Sequence, residues 1–218
     1  MLVKYWMTTE VITVDEDVSL MQASKLMKEH GIKHLPVIKE RRLVGIVSDR
    51  DLKEAQASDA TSLDIHELYY LLAKVKIKSL MSTNLHTTTG EEVIERAAAL
   101  MLDYDISALP VVDQEGKLKG IVTKGDLFRG LIAISGIHQA QLQLGLEVED
   151  RPGAVKKVTD LMRTQGGRIV SITTHYEEAP EGFRHLYIRC KAIENEETLF
   201  EKLEKNFKIL YRTHYKVD

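Results

Sequence analysis

The stretch Ile106–Leu127, ISALPVVDQEGKLKGIVTKGDL, decides the fold, because a second copy of it stands upstream as Ile32–Leu52, IKHLPVIKERRLVGIVSDRDL. Both copies contain Leu-Pro-Val, then Gly-Ile-Val with a hydroxyl residue after it, then Asp-Leu. Further matches lie upstream at a constant offset of 74 residues, for the pairs Met7/Met81, Ala23/Ala97, Leu26/Leu100 and Met27/Met101. A fixed offset over so many positions indicates a duplicated structural unit.

Each copy has the hydrophobic pattern of a β-α-β-β-α unit. In the first copy the β-branched run Val11–Val14 predicts a strand, and apolar residues at helical spacing then predict a helix that ends at Gly31. Leu35–Ile38 and Leu43–Val47 predict a hairpin, and a second helix is expected from Ser48. A sheet with one uncovered face needs a partner, so we expect the two copies to pack against each other.

The repeats also set the predicted domain boundaries. We predict repeat one at residues 1–57, a helical connector at 58–76, repeat two at 77–136 and a further domain at 141–218. The connector helix would begin at Ser62 as its N-cap and would carry an apolar face formed by Leu63, Leu68, Tyr69, Leu71 and Leu72.

The last segment has a different pattern. Gln141–Glu149 alternates apolar and polar residues, which is typical of a half-buried strand. After the turn Asp150–Gly153 the pattern predicts a helix, two strands joined by a hairpin, a second helix and a last strand. This β-α-β-β-α-β order is the ferredoxin-like arrangement. The predicted class of the chain is therefore α+β or α/β, with two packed β-α-β-β-α repeats followed by a ferredoxin-like domain.

Composition excludes several classes of protein. A net charge of −3 and a pI near 6.3 argue against a nucleic-acid binder that relies on phosphate contacts. The single cysteine, Cys190, excludes an internal disulfide and any multi-cysteine zinc site. No apolar run approaches the roughly 20 residues that span a bilayer, and no signal peptide is visible. We therefore expect a cytoplasmic protein with neither a nucleic-acid nor a membrane partner.

Two short motifs carry the candidate chemistry, Ser48-x-x-Asp51 and Thr123-x-x-Asp126. Each stands where a predicted strand passes into a helix, so one interpretation is local: the hydroxyl caps the helix and the acid favours its N-terminal dipole. The other interpretation is a ligand site. Free N–H groups at a helix start and a hydroxyl can hold phosphate oxygens, while the carboxylate accepts the hydroxyls of a ribose. Recurrence of the motif in both copies favours the ligand site.

On these residues both repeats resemble CBS domains, and the pair resembles a Bateman module with two clefts for adenosyl ligands. The resemblance implies that Asp51 and Asp126 accept from a ribose and that Ser48 and Thr123 contact phosphate. The residues that it implies for the adenine wall, for which core packing is the alternative, are Ile32, Pro36, Ile106 and Pro110.

The two clefts are not expected to be equivalent. Repeat one has Asp49-Arg50 inside its motif where repeat two has Lys124-Gly125. Repeat two has His86-Thr87-Thr88 where repeat one has Ile12-Thr13-Val14, so its first strand is more polar.

The last segment resembles an ACT domain, a fold that commonly binds amino acids between copies. The candidate ligand loop is Asp150, Arg151, Pro152 and Gly153, although a proline at the first helical position followed by a turn glycine would explain the same residues without a ligand. The chain as a whole resembles the acetoin utilisation protein B family, which would link it to acetoin metabolism.

The remaining candidate residues form no catalytic or metal site that the sequence can define. His30 and His34 are separated by Gly31, which ends the predicted helix, so they are not aligned on one helix face as metal ligands. Cys190 alternates with Tyr187 and Arg189 in a predicted strand, which indicates a packed side chain rather than a nucleophile. The histidines of the last domain fall on three predicted strands, at His175, His185 and His214. We therefore expect a non-catalytic sensor without a metal or cofactor, which binds an adenine nucleotide as a regulatory ligand. It would form a homodimer and act on a regulated enzyme partner. The alternative is a structural adaptor with empty clefts.

Overall fold

The computed structural model describes residues 1–59 and 72–215, without the side chains of residues 57–59. It divides into two compact units, Met1–Phe128 and Arg129–Asp218. The predicted connector helix with Ser62, Leu63, Leu68, Tyr69 and Leu71 lies outside the described residues. Its last predicted member, Leu72, is helical and packs against the core of repeat one.

Repeat one has the predicted β-α-β-β-α order. Its elements are β1 (Val14–Asp15), α1 (Leu20–His30), β2 (His34–Lys39), β3 (Arg42–Ser48) and α2 (Asp49–Asp59). The strands form one sheet in the order β1-β2-β3, with β1 parallel to β2 and β3 antiparallel to it. Gly31 ends α1 in the left-handed conformation, as predicted. The prediction of a strand over Val11–Val14 is wrong in extent, because only Val14 and Asp15 pair with β2.

Repeat two repeats this order with a weaker first strand. Its elements are α3 (Ile94–Asp103), β4 (Ala108–Val112), β5 (Leu118–Thr123) and α4 (Lys124–Ser135). In place of β1 it has a single parallel bridge between Thr88 and Val111. The polar sequence around Thr88 has fewer β-branched apolar residues to bury than its counterpart in repeat one.

The two repeats pack against each other by exchanging their leading segments. Val3, in a short 3₁₀ turn at Val3–Tyr5, is fully buried in the core of repeat two. Ile77, in the equivalent turn Ile77–Ser79, is fully buried in the core of repeat one. Each segment is also held by a backbone bridge to the other repeat, between Thr8 and Ile121 and between Ser82 and Ile46.

This exchange explains the glycine of each Gly-Ile-Val. A Cβ at Gly45 would lie 2.4 Å from the Met81 sulfur, and a Cβ at Gly120 would lie 2.7 Å from the Met7 sulfur and 2.9 Å from the Thr8 carbonyl oxygen. The repeated methionines and the repeated glycines are therefore opposite sides of the same close contact.

The second unit contains a four-stranded antiparallel sheet with two helices. Its elements are β6 (Leu142–Glu149), α5 (Ala154–Thr164), β7 (Ile169–His175), β8 (Phe183–Cys190), α6 (Glu196–Glu204) and β9 (Lys208–His214). The strand order is β7-β8-β6-β9. Both the order of the elements and the mixed α+β class agree with the sequence prediction. A single core, which includes Leu144, Val158, Ile188 and Leu203, lies between the sheet and the two helices.

Two details of this unit correct the sequence prediction. β6 is not half-buried, because the intervening residue Gln143 is only 7% exposed and accepts a 2.6 Å hydrogen bond from the Tyr215 hydroxyl. The Tyr211 ring covers Gly145 on the same strand. Pro152 is not the first residue of a helix, since α5 begins at Ala154 after Gly153, whose φ is 87°.

Candidate functional site

A cavity of about 570 Å³ lies within the first unit, and both repeats contribute to its walls. Repeat one supplies the end of β3 and the start of α2, and repeat two supplies the turn before β4 and part of that strand. Repeat one contributes Ile46, Ser48 and Asp51 to the cavity wall, and repeat two contributes Ile106, Ser107 and Pro110. Its volume falls within the range of about 300–1,000 Å³ that is common for small-molecule sites.

Ser48 and Asp51 form a capping box at the start of α2. The backbone N–H and the hydroxyl of Ser48 each donate to Oδ2 of Asp51, both at 2.7 Å, and the Asp51 N–H donates to the Ser48 oxygen at 3.3 Å. The local interpretation of the motif is thus realised. The box uses Oδ2 only, and Asp51 also lines the cavity. Capping and ligand binding are therefore compatible for this carboxylate.

Thr123 and Asp126 reproduce the same box at the start of α4. The Thr123 N–H and hydroxyl donate to Oδ2 of Asp126 at 2.7 and 2.6 Å, and the Asp126 N–H donates back at 3.4 Å. Neither residue lines the 570 Å³ cavity, and Asp126 is only 5% exposed. The two motifs are alike in local geometry and differ in access.

The four candidate wall residues separate into two pairs. Ile106 and Pro110 line the cavity that contains Ser48 and Asp51. Ile32 and Pro36 do not line it: Ile32 packs against the core of repeat one, and Pro36 is buried opposite Ile46 in the β2–β3 hairpin. The cavity thus combines the motif of one repeat with the strand of the other.

His34 joins the two repeats inside this cavity. Its Nε2 lies 2.8 Å from the Ser107 hydroxyl, and both residues line the wall. Burial lowers the pKa of His34, and the nearby Asp51 carboxylate opposes that effect. The neutral imidazole is therefore favoured where the two repeats meet.

The wall carries three basic side chains, Lys33, Arg50 and Lys124, and three acidic ones, Asp49, Asp51 and Asp105. Within the described part of the chain, Lys33, Arg50 and Lys124 make no ion pair. The Asp49 carboxylate, by contrast, accepts from Lys53 at 2.7 Å. Asp51 and Asp105 also form no ion pair with a described residue, so unpaired charges of both signs line this cavity.

Several wall residues were not predicted from the sequence. Ser82, Asn84 and Ser107 lie outside the named helices and strands and carry no motif of their own. His86, noted only for its polarity, lines the wall and stacks on the Tyr104 ring with 3.7 Å between centroids. The repeat offset offered a partial signal, since Ser107 is the counterpart of the wall residue Lys33.

A second cavity, of about 250 Å³, lies in the second unit at the start of α5. Of the predicted loop residues only Arg151 lines it, together with Lys157, Phe183 and Phe207, while Asp150, Pro152 and Gly153 do not. Arg151 also pairs with Glu149, and Asp150 lies 3.6 Å from Arg184. The loop therefore contributes one side chain to this cavity.

The weak candidates of the sequence occupy structural positions. His175 and His185 are paired across β7 and β8, whereas the His214 imidazole lies 2.8 Å from Glu196, so the three do not form one cluster. Cys190 is fully buried, and burial raises the pKa of its thiol to about 11.

Among residues 1–59 and 72–215, no group of three His, Cys, Asp or Glu side chains is placed to hold a metal ion. In the same ranges, every helix is too short or too polar to span a membrane.

The CBS domain family model matches this chain twice, at residues 3–58 and 77–133, which together make up just over half of its length. Curated relatives share the same part of the chain. It is 37% identical over 127 residues to a homoserine O-acetyltransferase of Methanosphaerula palustris, covering 58% of this chain and 23% of that protein. It is 35% identical over 125 residues to the CBS domain-containing protein YhcV of Bacillus subtilis, covering 57% and 81%. The chain spans about a quarter or less of the enzymes that it matches.

Solved structures give the same result. The CBS domain pair of protein MJ0100 in complex with 5'-methylthioadenosine and S-adenosyl-L-methionine is 32% identical, with a TM-score of 0.52 over 60% of this chain and 99% of that one. CBSX2 in complex with AMP is 31% identical, with a TM-score of 0.52 over 62% and 98%. A putative acetoin utilization protein (AcuB) from Vibrio cholerae is 27% identical, with a TM-score of 0.53 over 64% and 96%. These matches agree with the packed repeats, and the chain belongs to the CBS domain family, of which it carries a tandem pair.

Proposed function

We propose that this protein is a regulatory sensor that binds an adenosyl ligand in the cavity between its CBS repeats. The observation that carries the proposal is the convergence of Ser48 and Asp51 from one repeat with Ile106 and Pro110 from the other on one cavity. A carboxylate for a ribose and an apolar wall for a base are the two features that recognise a nucleoside. Support comes from two similar CBS structures, solved with 5'-methylthioadenosine and S-adenosyl-L-methionine and with AMP.

The mechanism that we propose is thermodynamic linkage. A ligand that contacts both repeats stabilises one relative orientation of them, and a partner that prefers this orientation then binds with altered affinity. The backbone bridges at Thr8 and Ser82 and the His34–Ser107 contact are the elements that such a shift would strain or relax. The partner we propose is a regulated enzyme.

Native mass spectrometry of freshly purified protein, followed by calorimetry with AMP, ATP and S-adenosylmethionine, tests this function. We expect a co-purified adenosyl compound, or saturable binding of at least one of the three. The competing function is a structural adaptor whose cavity stays empty. Absence of binding for all three ligands would favour the adaptor.

We propose a second ligand site in the C-terminal domain, of the ACT type suggested by the sequence. The β-α-β-β-α-β order supports it, as does the 250 Å³ cavity beside Arg151, where Lys157 would meet a carboxylate and Glu147, which also accepts from Lys208 at 3.1 Å, would meet an amine. An amino acid carries both groups. Calorimetry with a panel of amino acids tests this site, with Arg151→Ala as the variant expected to bind more weakly. Equal affinity in the variant would show that Arg151 does not contribute to amino-acid binding.

We also propose a homodimer, formed through the C-terminal sheet. Its outer strands β7 and β9 each pair with one neighbour within the described residues, and an edge of this kind can pair with an identical chain. Light scattering coupled to size exclusion should give twice the chain mass of 24.8 kDa. A mass equal to one chain at micromolar concentration would rule the dimer out.

We also propose a link to acetoin metabolism, which the similarity to the AcuB structure supports.

We propose further that the chain itself has no turnover and that enzymatic activity belongs to its partner. Incubation with ATP should return ATP unchanged. Net formation of ADP or AMP that one side-chain substitution abolishes would contradict this.

A further inference from the structure

The two outer strands of the C-terminal sheet differ in how they are protected from pairing with another chain. β7 (Ile169–His175) contains no lysine, arginine, aspartate, glutamate or proline, and every residue from Ile172 to its end is exposed. The irregularity in its pairing with β8 falls between Ile169 and Ser171, so the exposed part of the strand is regular. Natural edge strands normally carry charges, proline or bulges that prevent pairing with a second chain. The exposed half of β7 has none of these features.

β9, at the other edge of the sheet, is protected by charge. It carries Lys208 and Arg212, and its span Lys208–His214 contains neither an aspartate nor a glutamate. The Lys208 ammonium lies 3.1 Å from a Glu147 carboxylate oxygen, and the Arg212 guanidinium lies 4.8 Å from the centre of the Phe200 ring. Two copies of β9 that paired about a two-fold axis would bring these cations close together, which is destabilising. The charges therefore disfavour β9 as the strand for self-association.

The residues that flank β7 have complementary charges. β7 is preceded by Arg168 and followed, after Tyr176, by Glu177 and Glu178, and all four residues are exposed. In an antiparallel pair about a two-fold axis, the start of one strand lies beside the end of the other. Two paired copies of β7 would therefore bring Arg168 of each copy near the acids that follow β7 in the other copy. This self-complementarity favours a second copy of the chain over an unrelated partner.

Ile172 is an exposed apolar side chain on this edge. It is 40% exposed and lies opposite Ile188 of β8, which is fully buried in the core of the domain. At the centre of a two-fold pair, Ile172 of one copy would face Ile172 of the other, with Cβ atoms about 5 Å apart. Each side chain would then cover the other. The same register would set Ser171 opposite Thr173 of the second copy, on the other face of the sheet.

We propose that the C-terminal domain joins two copies of this chain through β7, in an antiparallel strand pair centred on Ile172 that forms one continuous sheet. This inference rests on the homodimer proposed above, and it names the strand and the register that form it. The strand order across the interface would be β9-β6-β8-β7 in one copy, continued by β7-β8-β6-β9 in the second. Such a contact uses the same surface on both copies and closes at two, so β9 stays at both outer edges.

The test is light scattering coupled to size exclusion on the full chain, with substitutions at the position that faces itself. Ile172→Lys and Ile172→Glu each place like charges opposite one another and remove the apolar contact, so each should weaken association at least about tenfold. At micromolar concentration each variant alone should have the mass of one chain, 24.8 kDa. An equimolar mixture of the two variants should restore the dimer, because opposite charges then face each other.

Thr213→Lys is the matched control, since it adds the same charge at an exposed position of β9, and it should leave the dimer intact. Recovery of the dimer in the mixture also shows that both Ile172 variants are folded. A mixture that stays monomeric, although both variants keep the circular dichroism of the wild type, would overturn the register centred on Ile172. A dimer that survives Ile172→Lys would overturn the β7 contact while the homodimer stands. A wild-type protein with the mass of one chain would overturn both.

Discussion

The Nε2 of His34 lies 2.8 Å from the Ser107 hydroxyl, and this contact joins the start of β2 in repeat one to the turn before β4 in repeat two. Both residues line the 570 Å³ cavity. Burial lowers the pKa of His34 from its ordinary value of 6.5, so the folded protein disfavours the imidazolium. The contact therefore couples the junction between the repeats to protonation of one side chain.

Stability should fall when the pH drops below 6.5. Because the folded-state pKa of His34 lies below this unfolded value, the unfolded chain binds more protons in the window beneath it, and protonation favours unfolding. Above that window the contribution of His34 is constant. Urea unfolding of wild type and His34→Asn should show a smaller loss of stability on acidification in the variant.

Ser107→Ala is the matched control for this pH effect. It removes the hydrogen-bond partner and keeps the imidazole, so its loss of stability on acidification should remain. An identical pH dependence in wild type and His34→Asn would show that other groups cause it.

Asp51→Ala should weaken adenosyl binding in the cavity at least tenfold, because a charged acceptor contributes about 1.5–3 kcal/mol per hydrogen bond. Asp126→Ala removes the same capping box from α4, yet Asp126 does not line the cavity. It should therefore match Asp51→Ala in its cost to stability, about 1 kcal/mol, and leave binding at the Asp51 site nearly unchanged. Calorimetry with paired thermal melts separates the two effects. Equal loss of binding in both variants would contradict the assignment of the cavity to the first motif.

Gly120→Ala should destabilise the CBS pair more than Gly45→Ala does. The new Cβ at Gly120 meets the Thr8 carbonyl oxygen at 2.9 Å as well as Met7, whereas at Gly45 it meets only the Met81 side chain, which can move. Overpacking of this kind typically costs about 1–3 kcal/mol. Gly125→Ala is the control, since its Cβ would be 3.7 Å from the nearest atom and alanine favours a helix. Denaturant midpoints in the reverse order would refute the role of the backbone contact.

Cys190 should resist thiol reagents in the native protein. It is fully buried and its thiol pKa is raised to about 11, so both access and the thiolate fraction are low. We expect no labelling by a disulfide reagent at mildly alkaline pH and one label per chain after addition of guanidinium. Rapid labelling of the folded protein would show that β8 opens readily.

Sequence alone determined the duplication, the order of elements in each repeat and the β-α-β-β-α-β order of the last domain. Hydrophobic period and turn residues act locally, so Gly31 could be recognised as a helix end and Ser48 and Asp51 as a pair at a strand–helix junction. The extent of the first strand was predicted less well. Whether Val11–Val14 pairs depends on a neighbouring strand, and only its last residue does.

Tertiary structure decided which residues share a site. The sequence predicted the same role, as wall residues of a cleft, for Ile32 and Pro36 as for Ile106 and Pro110, because equivalent positions of a repeat have the same local pattern. Packing of the two repeats brings only Ile106 and Pro110 to the Ser48–Asp51 cavity and buries Pro36. The same packing places Lys124 of one motif and Arg50 of the other on the wall of one cavity, and it sets the Met7 and Met81 side chains against glycines of the opposite repeat. Such contacts join residues that are far apart in the chain. Their geometry depends on how two surfaces dock, and local sequence patterns do not predict that docking.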